Sequence, residues 1–394
     1  MKDILIVANF CRDFSENDNG RFMYICKELS KNNNVEIITS DFGHSSKKHK
    51  DPLLHTWPFK ITFLHEPGYK KNISLKRFVS HYSWGREVGK YLSKRKKPDV
   101  VYCAVPSLTA PLTVAKYCEK ESIKFIIDIQ DLWPEAFKMA INIPIISDVM
   151  FFPFSVIANG IYKRADEIIA VSQTYVDRAL GVNKKCKTGH TVFLGTKLET
   201  YDEGAKGEPA LIKPEDEIWI GYCGSLSASY DIPNLIKAIS MLNKKGYSYL
   251  KLIIMGDGAN RKQYEECAQM CKESIVFTGK LTYERMCATL NQCDIAVNPI
   301  KHGSAASIIN KHGDYAASGL PVVNTQESPE YRNLIKTYNM GLNCANENAE
   351  DLSAKIEELI VDENKRLEMG RMSRKCAEEK FDRQFSYIEI LNLF

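Results

Sequence analysis

The chain has 394 residues, 44% of them apolar and 26% charged, with a formal net charge of +4. That composition excludes a disordered or fibrous chain, and the length exceeds one ordinary core, which predicts two domains of about 180 residues each. Twelve cysteines without a CxxC pair (the closest, Cys267 and Cys271, are four apart) predict reduced, packed thiols and no metal site.

The N-terminus, MKDILIVANF, enters a strand-like run directly, so no signal peptide is expected and the predicted compartment is cytoplasmic. Apolar runs predict buried parallel strands over 4–9, 35–39, 61–64, 100–105, 125–129, 167–171 and 191–194, most of them separated by helical patterns. Between Gly43 and Lys97 stand 14 Lys/Arg against three acids, Asp51, Glu66 and Glu87, with five histidines and interleaved aromatics such as Trp57, Tyr69 and Trp84. This is either a solvated basic face, a polyphosphate site or a surface for anionic lipid, where each base adds about 1 kcal/mol. Membrane contact is the reading adopted, and no motif for nucleic acid accompanies the charge. Residues 139–161, MAINIPIISDVMFFPFSVIANGI, are interrupted by Asp148 and Pro153 and are too short of apolar residues to span a bilayer. They form either an interfacial segment or a buried interdomain helix.

After Gly195 the stretch TKLETYDEGAKGEPALIKPED is polar and rich in Gly and Pro, and reads as a linker. A second βα series follows, with strands predicted at 218–223, 250–255, 275–278, 295–298, 321–323 and 341–343. Two such series predict an α/β protein of two tandem Rossmann-like, doubly wound domains with an interdomain ligand cleft. Glu350 onward is predicted helical, and the final QFSYIEILNLF is apolar enough to pack back on another element.

Three loops at predicted strand ends carry the chemistry. Gly224 and Ser225 lie in GYCGSLS, Gly256 lies in MGDG, and residues 297–323 run VNPIKHGSAASIINKHGDYAASGLPVV. The third is a small-residue loop opening a helix, so its amides can face an anion. Asp314, one or two turns into that helix, is placed to accept from hydroxyls. Phosphate at the loop and sugar hydroxyls at the acid together describe a nucleotide-sugar site; an ordinary βαβ crossover is the alternative.

The order GYCGSLSASYDIPNLIKAI, LIIMGDGANRKQYEECA, IVFTGKLTYERMCATLNQCDIAVNPI and INKHGDYAASGLPVV resembles the donor half of GT-B glycosyltransferases, specifically retaining glycosyltransferase family 4. In the first half, VFLGTKLETY and ADEIIAVSQTYVDRAL agree more loosely, and FIIDIQDLWPEAF is similar to members acting on lipid-linked precursors of bacterial surface polysaccharides. The resemblance implies an acceptor-binding domain over 1–196, a nucleotide-sugar-binding domain over 215–375 and a terminal helix, 376–394, returning to the first domain. It implies that Asp314 binds the ribose; Ala306 stands where the family has the first Glu of its E-x7-E motif. The usual Arg and Lys of the glycine loop are also absent, with Ser225 and a residue near Tyr230 in their approximate places. Lys311 is the first candidate for the diphosphate, followed by Lys301, Arg261 and the N–H groups of Ser307, Ile308 and Ile309. On the acceptor side the resemblance points to Gly20, Arg21, Gln130 and Asp131. Asp131 is either a catalytic group that takes or orients the acceptor proton, or a cap of the turn that follows it.

The resulting expectation is a peripheral enzyme on the inner face of the plasma membrane, with Asp131 and Lys311 as catalytic residues and without a metal or other cofactor. It would move a hexose or N-acetylhexosamine, with retention, from a UDP-sugar to a polyprenyl-diphosphate-linked saccharide in capsule, O-antigen or related synthesis. Two alternatives stay on the same fold: a catalytically degenerate nucleotide-binding partner of a transferase, and a hydrolysing UDP-sugar 2-epimerase.

Overall fold

Runs such as VVYCAV and LKLIIM are apolar at nearly every position, the signature of strands covered on both faces. A computed structural model describes residues 1–11, 14, 20–51, 56–72, 74–140, 144–304 and 307–394. It divides into two units, Met1–Val192 with Tyr387–Phe394, and Phe193–Ser386.

The first unit holds β1 (Asp3–Val7), β2 (Asn34–Ser40), β3 (Lys60–Leu64), β4 (Val100–Val105), β5 (Lys124–Ile129), β6 (Glu167–Ala170) and β7 (His190–Thr191). They pair in parallel in the order β3-β2-β1-β4-β5-β6-β7. The second unit holds β8 (Ile218–Cys223), β9 (Leu250–Met255), β10 (Ile275–Gly279), β11 (Ile295–Asn298), β12 (Val322–Asn324) and β13 (Gly341–Asn343). Their order is β10-β9-β8-β11-β12-β13, again parallel throughout. The strand order therefore reverses between β1 and β4 in one unit and between β8 and β11 in the other. Loops at the carboxyl ends beside such a switch point are where doubly wound sheets bind ligands.

Three readings need correction. The stretch after Gly195 is not a plain linker: Leu198–Ala205 forms a helix whose Leu198 and Tyr201 are buried in the second unit's core. The i, i+3 spacing of these two residues outweighs the surrounding Gly, Pro and acids. The strand predicted over 191–194 ends at Thr191, and Phe193 packs against Phe381 within the second unit. The C-terminal helix is broken: Asp362 caps a new start by accepting from the Lys365 N–H at 2.9 Å, and only Tyr387–Phe394 belong to the first unit.

One buried ion pair ties the first unit together. Arg21, at the start of helix Arg21–Ser30, forks onto Asp128 of β5 through Nε (2.8 Å) and Nη2 (2.9 Å). The same carboxylate accepts from the Tyr102 hydroxyl at 2.6 Å and from Gln130 Nε2 at 3.0 Å. The Tyr387 ring lies 4.7 Å from the guanidinium carbon. Removing one partner strands a buried charge, so Asp128→Ala is expected to destabilise the first unit by about 3–5 kcal/mol. A denaturant titration followed by fluorescence checks this, and Asp128→Ala with Arg21→Met should recover part of the loss.

Candidate functional site

In the second unit the loops after β8, β9 and β11 meet. Gly224 has φ +142°, a conformation that L side chains rarely adopt, and its N–H donates to the Met255 carbonyl at 3.0 Å. A Cβ on Gly256 would lie 1.8 Å from the Gly224 carbonyl oxygen, and one on Gly258 would lie 2.6 Å from the Leu226 carbonyl oxygen. The two loops are thus pressed backbone to backbone, which only glycine permits. On the far side, Tyr230 pairs with Ile300 in an antiparallel bridge, and the Asp231 N–H donates to the Pro299 carbonyl at 2.9 Å.

Lys311, in helix Asn310–Ala317, rises into this junction. Its side chain is buried, and its ammonium stands 3.8 Å from the Tyr230 ring centroid and 4.3 Å from that of Tyr222. A Cβ on Gly224 would come within 3.0 Å of Nζ. Yet Nζ has no hydrogen-bond partner among the described residues. Burial pushes its pKa down from 10.5 to about 7. The aromatic faces offset part of that desolvation. When protonated, this amine has three donors that are unpartnered among the described residues and set against a glycine turn, the chemistry an anion requires.

Three residues further on, Asp314 is half-buried and accepts from the Tyr283 hydroxyl at 2.9 Å, which in turn lies 3.0 Å from Thr196 Oγ1. Burial, reinforced by the Asp314 charge, raises the Tyr283 pKa, so the phenol remains a donor. Tyr315 joins the ends of β8 and β11, accepting from the Cys223 N–H at 3.0 Å and donating to the Val297 carbonyl at 3.1 Å. Behind the anion loop, Asn298, Asn324, Gln326 and His312 form a fully buried polar network. Gln326 Nε2 donates to the Ser307 carbonyl at 2.8 Å, which holds the loop in place.

The other donor-side residues fall as follows. Ser225 is exposed, and its carbonyl accepts from the Tyr222 hydroxyl at 2.7 Å. Ile308 is a core residue. The Ile309 N–H is already taken by His312 Nδ1 at 3.2 Å, so the three-amide cradle expected over 307–309 is reduced. Arg261 is held by Glu265 at 2.7 Å and Asp257 at 3.5 Å, which directs its charge to its own helix face. Lys301 is half-buried in the loop after β11. Ala306 lies outside the described residues.

In the first unit, Gly20 caps helix Arg21–Ser30, and Arg21 is committed to the Asp128 pair in the core. Gln130 donates to that same Asp128. Asp131 accepts from the Trp133 indole at 3.2 Å, and burial raises its pKa. Beside it stands a constellation that sequence reasoning missed. Arg77 is buried with its guanidinium carbon 4.5 Å from the Trp133 ring centroid, and Nε has no hydrogen-bond partner among the described residues. Among the described residues neither ring nitrogen of buried His81 has a hydrogen-bond partner, the Glu66 carboxylate lies 3.8 Å from Nε2, and burial holds the His81 pKa at about 3. Glu66 accepts from Asn9 at 3.0 Å and from Ser80 at 2.7 Å. The His and aromatic enrichment of 43–97 was the available signal. Read as surface, it in fact includes the buried Phe59, Tyr69, Arg77, His81 and Trp84.

Residues 206–376 match the family described as Glycosyl transferases group 1. The chain is 23% identical over 245 residues to an uncharacterized glycosyltransferase of Methanocaldococcus jannaschii, a match spanning 62% of each protein. The fold is GT-B. Sucrose-phosphate synthase of Thermosynechococcus elongatus superposes with a TM-score of 0.76 at 13% identity, covering 100% of this chain and 98% of that one. HepE of Anabaena, solved in complex with UDP, does so at 0.72 and 14% identity, covering 99% of both chains.

The Lys311 ammonium is a stability burden in the unliganded protein. With a folded pKa near 7 against 10.5 unfolded, the unfolded state binds more protons between those values, so stability falls as pH drops through that window. Lys311→Met is expected to raise unfolding stability at neutral pH by an amount on the order of 2–4 kcal/mol and to flatten its pH dependence up to about pH 10. Denaturant titrations of both proteins across that range check this.

Proposed function

We propose that this protein is a retaining glycosyltransferase that takes a hexose or N-acetylhexosamine from a UDP-sugar. The observation carrying this reading is the buried Lys311 ammonium, without a hydrogen-bond partner among the described residues, facing the glycine turn at Gly224. Lys311 would hold the diphosphate and neutralise the leaving oxygen's charge as the C1–O bond breaks. Asp314, kept in place by Tyr283, would take the ribose hydroxyls. The donor found with HepE, UDP-glucose, supports a uridine nucleotide. Among the described residues the donor loops add the carboxylate of Asp257, which is engaged by the Gly258 N–H at 2.8 Å and by Arg261 at 3.5 Å, so the departing phosphate oxygen would accept the acceptor's proton while that hydroxyl attacks C1 from the same face. Asp131 would orient the hydroxyl, and Arg77 with His81 would meet the acceptor's polar end.

The acceptor in this reading is a polyprenyl-diphosphate-linked saccharide of surface-polysaccharide synthesis, met at the inner face of the plasma membrane. Helices Leu75–Lys94 and Pro144–Tyr162 meet at Phe78 and Phe154, whose ring centroids are 5.1 Å apart. Between them is an apolar pocket of about 200 Å³, reached by Tyr82, Trp133 and Ile157. Around it Leu75, Val79, Phe152 and Val156 are exposed, while Lys70, Lys71 and Lys76 supply charge. Among the described residues no helix is long and apolar enough to cross a membrane. An apolar rim with a basic flank suits an anionic lipid surface.

Incubation with UDP-sugars and lipid-linked acceptor tests the reaction; failure of transfer with every donor, or an inverted linkage, overturns it. By calorimetry Lys311→Ala is expected to weaken UDP at least about tenfold more than uridine, and Asp314→Ala to weaken both alike. Binding UDP should raise the Lys311 pKa, so a proton is taken up and affinity falls as pH climbs from about 7 to about 9. Buffers of differing ionisation enthalpy reveal that proton. On vesicles, the wild type should sediment with anionic lipid, and Leu75→Asp with Phe152→Asp should leave it in solution.

A further inference from the structure

The geometry points to a divalent-metal site in the first unit, formed by Asp41, His49 and His65, for a late transition ion of the zinc class. β2 and β3 are parallel neighbours in register at Ser40 and Leu64, so the residues that follow them, Asp41 and His65, emerge side by side. The Asp41 N–H donates to the Leu64 carbonyl at 3.1 Å, which holds the two strand exits together. The third ligand is brought back by a turn. The Gly43 N–H bonds the Lys48 carbonyl at 2.8 Å, Lys50 N–H bonds the Asp41 carbonyl at 2.7 Å, and Phe42 pairs with His49.

The side chains converge on one point. His65 Nδ1 lies 2.9 Å from one Asp41 oxygen and His49 Nδ1 lies 3.4 Å from the other. One ligand atom from each residue falls within 4.8 Å of the other two. The two imidazoles are stacked, 5.4 Å apart with planes 15° from parallel. Ligand atoms bound at about 2.0–2.2 Å in a tetrahedral site lie about 3.3 Å from one another, so small side-chain movements suffice. The carboxylate is oriented from behind, since Asp41 Oδ1 accepts from the Glu66 N–H at 2.8 Å. Lys50, adjacent to His49 in the chain, directs its ammonium to the Ser40 carbonyl at 3.0 Å.

Two imidazole nitrogens and one carboxylate favour zinc, cobalt, nickel or copper over magnesium and calcium, which prefer oxygen. All three residues reach solvent, so water would complete the coordination. The ion would clamp the ends of β2 and β3 to the 41–50 turn. Glu66, next to His65 in the chain, accepts from Asn9 and Ser80 and lies 3.8 Å from His81 Nε2, so the clamp would fix the carboxylate that faces His81.

The test uses the full chain after chelation, titrated with zinc against a chromophoric competitor and separately with cobalt. The expected result is about one equivalent bound with a micromolar or tighter Kd. His49→Ala and His65→Ala should each weaken binding at least about tenfold, and the double variant should abolish it. Saturating zinc should raise the melting temperature of the wild type and leave the double variant unmoved. Circular dichroism should show both proteins equally folded without metal. The cobalt adduct should lack a thiolate charge-transfer band. Unchanged affinity in the double variant, a thiolate band, or binding weaker than about millimolar overturns the site.

Discussion

Parallel pairing is the constraint from which the rest of this protein follows. A parallel strand cannot return by a tight turn, so a crossover, helical in every case but β2–β3 among the described residues, brings each strand out at the same edge. In the second unit that edge collects the glycine turns after β8 and β9 and the loop after β11. In the first it collects Asn9, Asp41, Glu66 and Asp131, which are far apart in sequence. Chemistry concentrates there because the topology leaves nowhere else for loops of one polarity to gather.

Lys311 shows how such an edge is made receptive. A tertiary fold ordinarily satisfies or exposes an ammonium, and this one is walled in by Tyr222, Tyr230 and the Gly224 turn. The surrounding rings stabilise positive charge without donating a competing carboxylate. In the proposed reading an anionic ligand would meet a cation already stripped of water, where Coulomb attraction is least screened. Arg77 in the first unit likewise has aromatic walls, Trp133 and Tyr69, but its Nη1 donates to the Asn72 carbonyl at 3.0 Å.

The strands were legible because burial on both faces writes itself as continuous apolar runs, and all thirteen among the described residues lie at or within a few residues of the predicted positions. Helix Leu198–Ala205 was not, since its Gly and acidic residues masked a two-residue apolar anchor. Among site residues, Gly224 and Gly256 could be placed from strand-end loops alone. Arg261 was readable as an ion-pair member from Glu265 four residues on. Ile309 was not, because the competitor for its amide is a side chain one turn ahead. Tyr230, Arg77 and the Asp41 cluster depend on contacts between distant segments, which periodicity does not encode. The basic stretch misled in one respect: charge and aromatics in a single run split between a buried pocket and an exposed rim.

The return of Tyr387–Phe394 to the first unit has a consequence for synthesis. Lys124 Nζ bonds the Leu393 carbonyl at 2.7 Å, Phe394 lies 5.7 Å from the Tyr102 ring, and Tyr387 lies against Arg21. On the ribosome, the sequence of the second unit is complete before that of the first. The unit begun earliest is thus the last to close, and until then its nascent sheet waits with the Arg21–Asp128 pair uncovered on the Tyr387 side. Vectorial translation favours early growth of the N-terminal sheet, and the chain's own threading defers only its last cover.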